Sequence, residues 1–112
     1  MSNQEFPISV SMVRHEFGTF FERVLILYNL AFFKEEKGYR AEAVKKYADE
    51  LFEANRISDY IHSIIGEAIE KFTLLSPAKL KEMNPDKLRL LSQWISISIS
   101  DINGEINELM SN

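Results

Sequence analysis

The chain has no cysteine, three prolines, four glycines, two histidines and one tryptophan in 112 residues. Without cysteine there can be no disulfide and no thiolate metal site, which fits a reducing, cytoplasmic setting. So few prolines and glycines leave little material for the tight turns of an all-β fold. No glycine-rich loop is present to cradle a phosphate. Serines are plentiful, yet none has the surroundings of a nucleophile elbow. No histidine and glutamate repeat at the i, i+3 or i, i+4 spacing of helical-bundle metal sites, so neither a metal nor a cofactor is expected. The opening residues Met1, Ser2, Asn3, Gln4 and Glu5 lack the basic and apolar regions of a signal peptide.

Charge of one sign is also scarce. Thirteen basic and seventeen acidic residues give a net charge of −4. The densest basic stretch, Lys79, Lys81, Lys87 and Arg89, is flanked by Glu82 and Asp86. It reads as a solvated helix face, and no nucleic-acid partner is expected. The most apolar run, residues 24–33, is interrupted only by Asn29. As a helix it spans about 15 Å, half a bilayer core, so no membrane crossing is expected.

What the chain does have is helical periodicity. Val13, Phe17, Phe20, Val24, Leu27 and Ala31 step by four and three. So do Leu88, Leu91, Ile95, Ile99, Ile102, Ile106 and Leu109. Such spacing places each series on one helix face. Residues 1–7 read as a loose arm, with Pro7 suited to a first helical turn. A first long helix is predicted from about Met12 to Lys37, closed by Gly38 with Lys34 and Lys37 near its end. A second follows from near Tyr39–Glu42 to Phe72, on the stripe Val44, Ala48, Leu51, Asn55, Ser58, Ile61, Ile65, Ala68 and Phe72. Asn55 and Ser58 make that stripe polar. Either Ser58 or Asp59 recaps a second segment, or the helix continues through a polar layer. Continuity is preferred, because Ala54, Ile57, Tyr60 and Ile61 are not loop residues.

Ser76 before Pro77 and Asn84 before Pro85 are two helix starts, each an N-cap followed by proline. They open a short helix over 77–83 and a third long helix over 85–110. The alternating run Trp94, Ile95, Ser96, Ile97, Ser98, Ile99, Ser100 has the period of a strand. Its length and the unbroken stripe from Leu88 to Leu109 decide for helix, with Ile97 on a flank. The predicted fold is therefore all-α, one domain over 1–112, an antiparallel bundle of three long helices plus one short helix. Asp101, Glu105 and Glu108 give the last helix an acidic end that opposes its own dipole.

His15, Glu16 and Thr19 form the most distinctive cluster. A histidine followed by an acid, with threonine three residues beyond, resembles the phosphoacceptor box of the dimerisation and histidine-phosphotransfer domain of sensor histidine kinases. The resemblance covers about residues 10–72, with residues 55–65 similar to the second hairpin helix. Phe20 stands where that family has proline, and Gly18 where a basic or polar residue is common. The resemblance implies that His15 accepts a phosphoryl group, Glu16 assists as a base and Thr19 positions water. With no nucleotide-binding lobe, such a chain relays or removes phosphate without drawing it from ATP. Arg56 and His62 resemble the ribonuclease motif of small helical nucleotide-binding toxins. Six residues turn a helix by about 240°, so the two would not share a face. Arg56 is expected to pair with Glu53 or Asp59, and His62 to sit at the bundle margin.

Aromatics crowd the first helix. Phe17, Phe20, Phe21, Tyr28, Phe32 and Phe33 cover more than one face. A surface helix needs one apolar stripe, and three long helices cannot easily cover the rest. Phe21, Tyr28, Phe32 and Phe33 are therefore expected at an interface, either in a homodimer or with a protein partner; a homodimer is expected to bury parts of residues 24–33 or of the third long helix. The reading that follows is a small non-enzymatic protein-interaction module, regulatory, adaptor or inhibitor-like. The alternative is the phosphotransfer or phosphatase domain centred on His15.

Overall fold

A computed structural model of the chain describes residues 8–111. The expected arm over residues 1–7 lies outside the described residues. Those described form five helices and no strand: α1 (Val10–Phe32), α2 (Ala41–Glu53), α3 (Asp59–Leu74), α4 (Pro77–Glu82) and α5 (Pro85–Met110). Four of the five starts are capped by a side chain. Ser9, Ser58 and Ser76 accept from the backbone N–H three residues on, and Asn84 from that of Asp86. Each bond satisfies a donor that the helix itself leaves unpaired.

Two expected boundaries are corrected. The first helix ends at Phe32, not Lys37. Phe33 turns left-handed (φ 54°), and the Lys34 N–H returns to the Asn29 carbonyl at 3.0 Å. The Asn29 carboxamide then donates to the Glu36 carbonyl at 2.9 Å and accepts from its N–H at 3.1 Å. That two-point grip bends residues 33–40 back along α1 instead of letting the helix continue.

The second correction is that the continuous helix over 39–72 is two helices. Asn55 is left-handed (φ 58°), the Arg56 N–H bonds the Leu51 carbonyl at 2.8 Å, and the Asn55 N–H bonds that of Phe52 at 3.0 Å. This is a Schellman ending, with asparagine at the position that favours left-handed residues. Ile57 looked helical because it is apolar; it is buried as the plug of the linker.

The helix directions keep α1, α3 and α5 alternating and set α2 apart. Phe72 meets Phe17 and Phe21, and the Leu75 carbonyl meets Arg14, so α3 runs against α1. Lys71 lies over Trp94 and Tyr60 bonds Asp101, so α3 also runs against α5. The start of α2 lies beside Gly18 and Phe21, while Tyr47 stacks on Tyr28 further along. Hence α1, α2 and α5 run the same way and α3 returns between them. Parallel α1 and α2 are possible because residues 33–40 run back along α1 to the level of Phe21 and Gly18.

The α1 helix is central and packs against the other four. Its whole stripe from Val13 to Ala31 is buried, and so are Phe21, Leu25 and Tyr28 on other faces. Splitting the expected middle helix supplies the extra neighbour that covers them. The alternating run is helical: Ile95 and Ile102 are fully buried and Ile99 partly so. Ser98 is also buried, and its hydroxyl is satisfied by the Trp94 carbonyl at 2.9 Å.

Candidate functional site

His15 projects from α1 into solvent, and Thr19, one turn on, is half-buried. Glu16 points elsewhere. Its Oε1 accepts from the Ser92 hydroxyl at 2.8 Å and its Oε2 from the Ser96 hydroxyl at 3.0 Å. Ser92 and Ser96 are one turn apart on α5, so both carboxylate oxygens tie α1 to α5. Successive helical residues differ by about 100° in direction, which turns this acid away from the imidazole. His15 and Thr19 share a face; Glu16 belongs to a helix-helix joint. Only the fold reveals that joint, because the three residues lie 76 and 80 positions apart.

Arg56 and His62 do not form a site. Arg56 lies in the linker before α3, and His62 Nε2 is 2.9 Å from Asp49 Oδ1 on α2. The imidazole stacks on Phe52 at 4.3 Å. The His62 bond, aided by Lys45, holds the Asp49 carboxyl below the usual aspartate range. Among the described residues, no three His, Asp or Glu side chains converge where a metal ion could be held.

An open cleft of about 650 Å³ runs between α1, the start of α2 and the end of α3. Phe21, Phe72 and Tyr39 line it, with Arg14 and Arg40. Arg14 is engaged: its guanidinium lies 4.3 Å over the Phe72 ring and donates to the Leu75 carbonyl at 3.4 Å.

The four aromatic residues expected at an interface separate into two groups. Phe21 and Tyr28 are taken up by the chain's own core. Phe21 meets Phe72 edge-on at 5.3 Å. Tyr28 stacks on Tyr47 at 4.3 Å, and its hydroxyl donates to Glu50 at 2.8 Å and accepts from Lys34 at 3.2 Å. Burial first, and then the Glu50 bond, push the Tyr28 phenol above its ordinary pKa. Phe32 is half-buried against Tyr28. Phe33 is 95% exposed, at the end of α1.

One exposed apolar line was not singled out from the sequence. On the outer face of α5, Leu90 is 63% and Ile97 61% exposed, with Trp94 half-buried between them. The signal was present: 90, 94 and 97 repeat the four-three step of the buried stripe, displaced around the helix.

No protein-family model, no curated protein and no solved structure matches the chain. Among the described residues, no helix is long and apolar enough to cross a membrane. The structure defines an all-α class, with five helices among the described residues centred on α1.

Proposed function

We propose that this chain is a non-enzymatic, cytoplasmic protein-interaction module of regulatory, adaptor or inhibitor-like kind, which grips a protein partner with the tip formed by Phe33. One observation carries the reading: a phenylalanine 95% exposed at a left-handed position (φ 54°). Leaving a phenyl ring in water forgoes roughly 1.5–3 kcal/mol of burial. The left-handed backbone adds about 1–2 kcal/mol for a residue with a Cβ. Glycine would remove the backbone penalty, yet the position holds a large aromatic. Exposed aromatics held on a fixed backbone are the side chains that dominate interface energies. Half-buried Phe32 and exposed Leu30 adjoin the tip, and Lys34, Glu35, Glu36 and Lys37 give it a mixed-charge rim. The test is quantitative capture from the native host with wild type and Phe33→Gly, followed by direct titration of any purified partner. A partner held by wild type and lost by Phe33→Gly supports the reading. Identical capture by both refutes it.

A second reading is favoured by a separate observation, the exposure of His15 with Thr19 one turn beyond. In that reading the chain exchanges phosphate with a receiver domain through His15, and Glu16 acts structurally through Ser92 and Ser96. Incubation with a phosphorylated receiver should then load or release phosphate, and His15→Ala should abolish this without unfolding the chain. No transfer and no release by wild type would end it.

A further inference from the structure

The solvent face of α5 carries a second seam. Lys87, Leu90, Trp94, Ile97, Asp101, Gly104 and Glu108 step by three and four along the helix. That is the repeat with which one helix lies along another. The buried face of α5 already serves α1, and α3 borders this face, with Lys71 over Trp94 and Tyr60 donating to Asp101; Leu90 and Ile97 on it are each more than 60% exposed. The seam is also polar in its sequence order. It begins with a cation, is apolar through its middle and ends with two acids. The last turn of α5 contains no basic residue to balance its carbonyl end.

We infer that this face docks a second copy of the same chain, α5 against α5, antiparallel about a two-fold axis at Ile97. The register follows from the positions. Ile97 meets its own copy on the axis. Leu90 and Gly104 are each seven residues from it, so each leucine lies over the other copy's glycine, beside which a Cβ would find nothing within 4 Å. Lys87, ten residues before the axis, comes level with Glu105 and Glu108 of the second copy, eight and eleven residues after it. At 1.5 Å per residue these heights are about 15 Å against about 12 and 16.5 Å. Trp94 comes level with Asp101 of the second copy, an acid that its own chain's Tyr60 engages; Lys71, 5.3 Å over the Trp94 ring, is already paired with Glu67. A hollow of about 320 Å³ between Leu75, Met83, Leu90 and Trp94, with Lys71 and Lys87 at its rim, lies level with the second copy's 101–111.

Parallel pairing of the same faces fails on charge. It would set Asp101 on Asp101 and Glu108 on Glu108, and like charges at close range exclude that alternative. Antiparallel pairing gives each acidic end the cation that its own chain lacks. The crowding is visible within one chain: burial, then Glu108 and Asp101, hold the Glu105 carboxyl above its ordinary pKa. Because α1 and α5 run the same way, such a dimer points its two Phe33 tips in opposite directions. The α5 face and the Phe33 tip are separate surfaces, so each proposal stands or falls without the other.

Sedimentation equilibrium from about 5 to about 500 µM brackets the affinities expected of a modest interface. Wild type should rise from 13.0 kDa toward twice that mass. Ile97→Asp should stay at 13.0 kDa throughout with an unchanged helical circular dichroism spectrum, because the side chain is exposed. Lys87→Glu should weaken association at least about tenfold at low salt. Adding Glu108→Lys to it should restore the dimer, since the swapped charges meet again across the axis. A wild type that remains monomeric across the range overturns the proposal. So does a dimer indifferent to Ile97→Asp. Failure of the double variant to recover overturns the antiparallel register.

Discussion

Ile95→Ala and Ile97→Ala, taken as a pair, test the reading of α5 most directly. In a strand, residues two apart share a face, and the isoleucines of the alternating run would be equivalent. In the helix they are not: Ile95 is fully buried and Ile97 is 61% exposed. Truncating Ile95 removes three carbons from the core, about 2.4 kcal/mol at ~0.8 kcal/mol per methylene. A residual cavity of ~50 Å³ adds about 1.2 kcal/mol. The sum, ~3.5 kcal/mol, is a large part of the 5–15 kcal/mol that typically holds a domain together. In urea, with a slope of ~1–3 kcal/mol/M, the midpoint should fall by about 1 M or more. Circular dichroism and Trp94 fluorescence can both follow the transition. Ile97→Ala should change stability by less than ~0.5 kcal/mol, measured at low micromolar concentration where self-association contributes nothing. A loss below ~0.5 kcal/mol for Ile95→Ala, or above ~2 kcal/mol for Ile97→Ala, would refute the helical packing.

Three further outcomes follow from the same geometry. Phe33→Gly should stabilise the fold by about 1 kcal/mol, raising the melting temperature by ~4–8 °C, because glycine adopts the left-handed position without a Cβ penalty; an unchanged or lower melting temperature would contradict the observed helix ending. Glu16→Ala should lower stability by about 1–2 kcal/mol, since it leaves the Ser92 and Ser96 hydroxyls without their shared acceptor; a neutral result in thermal melts would show that the joint contributes nothing. Glu105→Gln should raise stability at pH 7 by roughly 0.3–1 kcal/mol. The sign follows from Glu105's raised folded-state pKa: the folded chain is penalised while the group is ionised, so the gain is full at neutral pH and fades as pH falls through that raised value. A gain that grew on acidification would contradict it.

Much of the local structure was legible in the order of residues. The four-three stripes located the buried faces of α1 and α5, and the caps before Pro77 and Pro85 located two helix starts. Those features depend on neighbours within one turn, which a sequence displays directly. The missed boundaries depended on contacts that override local preference. Gly38 suited a helix end, but Asn29 stopped α1 earlier by gripping Glu36, seven residues away. Ile57 argued for continuity, but the core had room for it as a linker plug. Asn55 and Ser58 did mark the break, and their capping chemistry outweighed the apolar residues around them.

The candidate site divides along the same line. That His15 stands exposed on a helix could be expected from its polar surroundings. That Glu16 is bound to two serines of α5 could not, because the pairing exists only once α1 and α5 lie side by side. The aromatic excess of α1 is plain in the chain, and by itself it points to an interface, because three long helices cannot easily cover it. Tertiary structure decided otherwise for Phe21 and Tyr28: residues 33–40 fold back, α2 runs parallel to α1, and an extra helix covers them. Phe33 remained outside, since the left-handed turn that ends α1 points its ring away from the bundle. Composition and periodicity thus determined that the chain forms helices and which faces are apolar. Which neighbour each face meets was decided by long-range packing, because equal apolar stripes carry no label for their partners.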